Sequence, residues 1–486
     1  MSDDVKIRVR SIEARIDEAR LRLPFRFGAT TLRQCPIVTV RTEIEDAAGR
    51  RSFGHAADNL IGPWFDKSPD RDFDEKVDGL IAAGELAFAA YLDRGAAPAA
   101  PFDLWWSVYP EIKRRAKAAN LPALSGEFGV SLCERATIDA ACRATGLSFH
   151  AALRGGALGF DPARVHRGLS SFDWKKAIPD RPLDRVMCRH TIGMADALRE
   201  ADMNAEARID DGFPESLEAD IARYGLRWFK IKIGGDREAN LDRLRRIGET
   251  LSECRAAPFH ATLDGNEQVE DLGDLEWLHE RLGASDAGRA MREAILYVEQ
   301  PLARDRALAE DARGAIARLA RLWPLIIDES DDDVAAFPRA LELGYAGVSA
   351  KNCKGVFKSI LNQCLIARRA EDGESPPAFL SAEDLTATGV VSLQEDLATI
   401  AALGLPHCER NGHHYFRGLD RLSAAEREGA LAAHGDLYER RAGTVALRIA
   451  DGAIALGSIR SPGFGYACSI DFEGRMTLDA WRSGRR

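Results

Sequence analysis

Trp228-Phe-Lys-Ile-Lys-Ile233, Phe259-His-Ala-Thr-Leu-Asp264, Ile295-Leu-Tyr-Val-Glu299, Pro324-Leu-Ile-Ile-Asp328 and Gly347-Val-Ser-Ala-Lys351 are short apolar runs, each with a charged residue at or beside its end. Their charged tips recur about 23 to 35 residues apart. That is the length needed for a strand, a helix and two turns, and parallel strands must be joined by such crossovers. The segments between read as helices. Arg237 to Cys254 carries Leu241, Leu244, Ile247 and Leu251 at helical spacing, and Asp331 to Leu343 opens with three aspartates that suit a helix N-terminus. Repeated β then α units with almost unbroken apolar strands predict a parallel sheet covered on both faces. With about eight units the sheet closes as an α/β barrel of the TIM type, whose active site lies at the carboxyl ends of its strands.

Working outward, Lys6 to Arg10 alternates polar and apolar, and Leu21 to Phe27, Ile37 to Ile44 and the turn at Ala48-Gly49 continue as a small antiparallel meander. Phe73 to Leu92 predicts a helix with Val77, Leu80, Ile81, Leu86 and Phe88 on one side. Glu134 to Ala152 predicts another. The Pro- and charge-rich stretch Asp161 to Asp184 reads as the connection to the barrel. Beyond Glu409 the pattern loosens, and Val445 to Ile449, Gly452 to Leu456 and Pro462 to Gly465 read as strands and turns returning to the N-terminal part.

A chain of 486 residues, 45% apolar, has material for one large core and a second domain. A net charge of −10 and a pI near 5.6 argue against nucleic acid or an anionic membrane as the main partner and for a small-molecule substrate. Met1 to Arg10 lacks the apolar core of a signal peptide and no run of about 18 apolar residues occurs, so a soluble cytoplasmic protein is expected. The nine cysteines show no paired metal or redox spacing.

Residues two apart in a strand share a face, so Lys230 and Lys232 point together into the barrel. Two ammonium groups about 6 Å apart repel by roughly 2 to 3 kcal/mol at an effective dielectric of about 20, which predicts one depressed pKa and a base near neutral pH. Asp264, Glu299 and Asp328 end three consecutive strands. Converging carboxylates repel unless a hard divalent cation neutralises them, and an all-oxygen set suits Mg²⁺, with Mn²⁺ as the alternative. Such an ion would hold a substrate carboxylate and absorb the charge that grows as the adjacent carbon loses its proton. Lys351 ends the sixth strand, opposite the second, so it faces Lys232 across the pocket.

Together, Lys230-Ile-Lys232, Asp264-Gly-Asn266-Glu267, Val298-Glu299-Gln-Pro301, Asp328-Glu329-Ser330 and Lys351-Asn-Cys-Lys354-Gly355 closely resemble the enolase superfamily, in particular its muconate-lactonizing-enzyme and mandelate-racemase-like members. The resemblance implies a modified (β/α)₇β barrel over residues 186–425, and an α+β capping domain over 1–160 with an inserted segment at 55–125. It also implies that 440–486 returns to that cap. By the same resemblance Asp264, Glu299 and Asp328 bind Mg²⁺, Lys232 and Lys351 exchange protons with the substrate, and Lys230 assists by its charge. Asn266, Glu329 and Glu383 then stand in the second shell or against the substrate. Ser349 replaces an Asn frequent in the subgroup, Lys354 competes with Lys351, and Ser381-Ala-Glu383-Asp384 replaces the usual seventh-strand motif, so the pocket wall differs.

His413-His414 follow the expected eighth strand and read as a solvated loop pair in preference to a pair reaching the pocket, Arg189-His190 as either an anion contact or structural, Phe25 and Phe27 as lid or core, and Arg482 to Arg486 as a frayed basic tail. The expected activity is Mg²⁺-dependent removal of the α-proton of a small carboxylate through an enediolate. Racemisation or epimerisation is favoured over acid-sugar dehydration, cycloisomerisation or a non-catalytic scaffold role, and a homo-oligomer is the expected assembly.

Overall fold

A computed structural model describes residues 5–485 apart from 205, 207 and 255–257. Met1 to Asp4 of the N-terminal reading and Arg486 of the tail lie outside the described residues. The meander is present as β1 (Ile7–Phe27), β2 (Thr30–Asp46) and β3 (Arg51–Asn59), paired antiparallel in that order. β1 and β2 are long enough to project beyond the sheet as a hairpin, with Gly28 at φ +50° in its tip and Phe25 opposite Leu32. Alternation turns Phe25 and Phe27 inward and leaves Arg26 in solvent.

Helices Phe73–Arg94, Pro101–Ala118 and Ala123–Thr145 pack against one another, and the last also packs against β2 and β3. The first is started by a capping box between Asp72 and Glu75. The helix expected over Glu134 to Ala152 is in fact two, because Gly146 adopts the left-handed conformation and closes the first before Phe149–Gly155 begins. The region 55–125 holds β3's end and three helices, one more long helix than the sequence pattern suggested. Arg135 is fully buried and joins Asp58 of the sheet to Glu395 of a barrel helix at 2.9 Å each.

Eight strands form the barrel: β4 (Arg185–Ile192), β5 (Trp228–Lys232), β6 (His260–Asp264), β7 (Ile295–Glu299), β8 (Leu325–Ile327), β9 (Gly347–Ala350), β10 (Phe379–Ala382) and β11 (His407–Arg410). They run parallel in sequence order, and β11 pairs back onto β4 from Met187 to His190, which closes the ring. The architecture is the expected TIM-type barrel with a sheet-containing cap. The carboxyl ends of β5 to β9 bring the charged tips of the quoted stretch to one mouth.

Three expectations fail locally. The helix placed at Asp331 to Leu343 starts only at Ala336; Asp331 instead pairs with Lys354 and Lys358, and Asp333 with Lys113. Ala453–Ala455 does not reach the N-terminal sheet but pairs antiparallel with the start of β4. The return is made further on, where Ser148 bridges Gly463 and Met476–Thr477 adds a strand to β1. The basic tail is not frayed: Leu478–Gly484 is a helix with Trp481 buried, Arg482 paired to Glu85, and Arg485 paired to Asp74 and Asp78. No helix among the described residues is long and apolar enough to cross a membrane.

Candidate active site at the barrel mouth

Lys230 and Lys232 do share one face of β5 and point into the barrel. The Lys230 ammonium lies 2.9 Å from Asp264, 2.7 Å from Glu299, 2.6 Å from Glu383 and 3.1 Å from Glu409. Lys232 donates to Asp264 at 2.5 Å. Burial opposes charge on Lys230, but four carboxylates outweigh it and hold its pKa well above the ordinary lysine value. The expected depression by its lysine neighbour is therefore corrected for Lys230, since the carboxylates dominate. Asp264 is raised by burial yet ends below its ordinary value because Lys230 and Lys232 adjoin it.

Across the ring, Lys351 donates to Asp328 at 2.7 Å and lies 4.2 Å above the Trp64 ring. Asp328 also accepts from Ser349 and, at 3.0 Å, from Lys354, so despite burial its pKa falls well below the ordinary range. Lys354 is tied further to the Asp328 carbonyl at 3.1 Å and to Ser349 at 2.6 Å. It faces away from the pocket, whose walls are Phe25, Phe27, Ile61, Trp64, Lys232, Asn266, Lys351, Asp384, Leu385, Thr386, Glu409 and Asn411. Lys351, not Lys354, thus shares the cavity with Lys232. Phe25 and Phe27 form its roof, 5.2 Å apart between ring centres, and Phe25 stacks at 4.4 Å on Tyr415.

The three acids Asp264, Glu299 and Asp328 are all fully buried at adjacent strand ends. Their oxygens do not all lie within 4.8 Å of one another, a spacing that among the described residues is met by His190, Asp220 and His413. Lysines explain the gap: Lys230 sits between Asp264 and Glu299, while Lys351 and Lys354 draw Asp328 aside. The donor set nevertheless fits a hard cation. Both Glu299 oxygens are buried without a hydrogen bond, because the ion pair to Lys230 is out of line for one. Burial, and then Asp264 and Glu383, push its pKa well above the usual carboxylate value. Asn266 donates to Glu329 at 3.1 Å, leaving its own carbonyl oxygen and the second Glu329 oxygen unpartnered. Burial and Asp328 raise Glu329 to about 7.

Glu383 takes Lys230 on one oxygen and Arg189 on the other. Arg189 is wholly inside the barrel, bonded to Tyr297, Ser381 and the Ala382 carbonyl, so it braces the wall and does not line this pocket. Sequence reasoning missed Glu409 and Trp64. Glu409 ends β11 as the other acids end theirs, and that position was its only signal; it accepts from Thr191 at 2.6 Å. His413 and His414 are buried against His190 and Asp220, not solvated as expected.

No family model matches this sequence, and no curated protein matches it. A closed barrel with its charged cluster under a sheet-and-helix cap defines the architectural class, a TIM-type barrel with a capping domain. Among solved proteins it is similar to a dipeptide epimerase from Cytophaga hutchinsonii complexed with Mg and D-Ala-L-Val, with 15% identity, 97% of this chain and 99% of that one covered, and a TM-score of 0.57. It is likewise similar to an N-succinyl Arg/Lys racemase from Bacillus cereus (15% identity, 97% and 98% covered, TM-score 0.60). A 2-chloromuconate cycloisomerase from Rhodococcus opacus gives 17% identity, 95% and 97% covered, and a TM-score of 0.58. These neighbours are enzymes, and at such identities the shared property is the fold.

Proposed function

We propose that this chain is an enolase-superfamily enzyme that removes the proton next to the carboxylate of a small acid and returns it, as a racemase or epimerase. The observation that carries the reading is the pair Lys232 and Lys351, on opposite sides of one cavity beside three buried acids. Asp264, Glu299 and Asp328 would hold Mg²⁺, with Mn²⁺ as the alternative. The ion supplies charge to bind the substrate carboxylate and to stabilise the enediolate. Lys232 takes the α-proton on one face and Lys351 delivers one on the other. Lys230 stays charged and adds to the positive field. Phe25, Phe27 and Trp64 exclude water. The neighbours solved with magnesium, with a dipeptide or with mandelic acid support a small carboxylate as the substrate class.

A second reading is dehydration, favoured by one observation. Asp384 lines the pocket, and its carboxyl is pushed up to about 7 by burial, so an acid for a leaving hydroxyl is at hand. The test incubates N-acyl amino acids, dipeptides and acid sugars with Mg²⁺ in deuterated water. Epimerisation predicts α-deuterium with inverted product and no loss of water; α-exchange at the wild-type rate by Lys232→Ala would refute the assigned base.

A further inference from the structure

Outside the barrel wall, under the turn that follows β11, buried side chains converge that the proposed reaction does not use. His190 projects from β4 on the face opposite Arg189. Asp220 comes from the helix Leu217–Tyr224, and His413 and His414 from the turn Gly412–Tyr415. One ligand atom each of His190, Asp220 and His413 lies within 4.8 Å of the other two. His190 Nδ1 is 3.1 Å from His413 Nε2, and His190 Nε2 is 3.8 Å from Asp220 Oδ2. His414 Nδ1 lies 2.8 Å from the same carboxylate oxygen but out of line for a hydrogen bond.

We propose that His190, Asp220 and His413 form a second metal site, separate from the carboxylate cluster and selective for a divalent transition ion such as Zn²⁺. Asp220 is wholly buried, and neither of its oxygens has a hydrogen bond; Nδ1 of His413 also lacks one. A buried carboxylate is costly without a counter-charge; the His414 ring at 2.8 Å supplies one when it is protonated, and a divalent ion would supply a stronger one. Two imidazoles and one carboxylate suit Zn²⁺ and leave Mg²⁺, which wants oxygen, poorly served. Ligand bonds of about 2.0 to 2.1 Å in a tetrahedron place donor atoms roughly 3.3 Å apart; the three donors here lie within 4.8 Å of one another, so they must draw together, and His190, which meets His413 with Nδ1 and Asp220 with Nε2, would give one of its two nitrogens to the ion. His414 stands behind the carboxylate as an orienting partner. A fourth position is available, since His413 also borders a cavity lined by Phe213, Tyr224, Leu419 and Tyr438.

The ion would tie the turn after β11 to β4 and to the helix Leu217–Tyr224. Tyr415 of that turn carries Phe25 of the pocket roof, so the site is a brace for the roof.

The test strips the full-length protein with chelator and adds Zn²⁺ or Co²⁺ alone in the presence of excess Mg²⁺. One equivalent of Zn²⁺ per chain retained after dialysis is expected, with affinity reduced at least tenfold in His413→Ala and Asp220→Asn and unchanged in Asp328→Asn. Co²⁺ should give the intense visible bands of a tetrahedral nitrogen-ligated ion, lost in His190→Gln variants whose far-ultraviolet circular dichroism is unaltered. Stoichiometric Zn²⁺ that Mg²⁺ displaces, Zn²⁺ binding indifferent to His413→Ala, or octahedral Co²⁺ spectra would each overturn the proposal. Because no substrate is used, the outcome is independent of the catalytic reading.

Discussion

Two buried charged clusters lie on either side of the same barrel wall and are balanced in opposite ways. Inside, lysines fill the space among Asp264, Glu299, Glu383, Glu409 and Asp328, and nearly every carboxylate touches an ammonium. Outside, Asp220 has only imidazoles around it, one of them close enough to pair. In the proposed reaction Lys232 and Lys351, at 2.5 and 2.7 Å from their acids, would give up those contacts for the substrate, while Lys230 stays paired. The contrast teaches that the interior acids are balanced by lysines, whereas the exterior aspartate depends on imidazoles, chiefly His414, whose pKa it raises.

The widest difference should come from the interior lysines. Lys351→Ala is expected to lower α-proton exchange by about 10² to 10⁴-fold, the usual worth of a positioned acid or base, with Mg²⁺ binding retained. A drop below threefold would remove Lys351 from the chemistry. Lys230→Met leaves four carboxylates without their shared cation and should cost about 3 to 5 kcal/mol in urea unfolding. A loss under about 1 kcal/mol would show the interior cluster to be no better balanced than the exterior one. Glu299→Gln removes a carboxylate whose ionisation its neighbours oppose. The metal-free variant should melt no lower than wild type, while the Mg²⁺ stabilisation of about 2.7 kcal/mol expected at a hundredfold excess over Kd disappears. An unchanged Mg²⁺ shift would place the ion elsewhere.

The exterior cluster should show itself through pH in chelator-treated protein. Burial lowers His190 to about 4 in the folded chain, against about 6.5 unfolded. The unfolded chain then binds more protons below pH 6.5, so this group removes stability as pH falls from about 6.5 toward 4. His414 runs the other way: burial opposes its charge, Asp220 outweighs burial, and its pKa is raised. Its contribution is fully present below about pH 6.5 and is lost as pH rises through the raised value. His190→Phe should flatten the acid limb of stability against pH, and His414→Gln the limb above neutrality; identical curves for all three proteins would deny both shifts. The smallest effect is expected at Trp64→Leu. Loss of the ring under Lys351 is worth about 0.5 to 2 kcal/mol, so exchange should slow by a few-fold to about thirtyfold, as measured by deuterium uptake.

What could be read in the chain beforehand follows from periodicity. Parallel strands end at one face, so the tips Lys232, Asp264, Glu299, Asp328 and Lys351 fell into one place from spacing alone. Interactions across long sequence distances carried no such signal. His190 and His413 are 223 positions apart, and nothing local marks either as a partner. The aspartates at 331–333 resembled a helix start, yet buried lysines from other elements claim them. For Lys230 the expected depression failed because repulsion between two known neighbours was counted before the acids arriving from β6, β7, β10 and β11. Glu409 was overlooked because, although the eighth strand was expected just before His413, nothing in Cys408-Glu409-Arg410 by itself shows that the acid turns inward to Lys230.

The hairpin tip that carries Phe25 and Phe27 is secured by Arg22, which grips Asp211 with both arms at 2.7 Å and also donates to the carbonyls of Pro214, Phe213 and His414. A guanidinium that lets go of one of these partners surrenders the others with it. One side chain thus ties the two rings over the barrel mouth both to the segment 211–214 and to the turn after β11, so the roof and that turn share a single anchor.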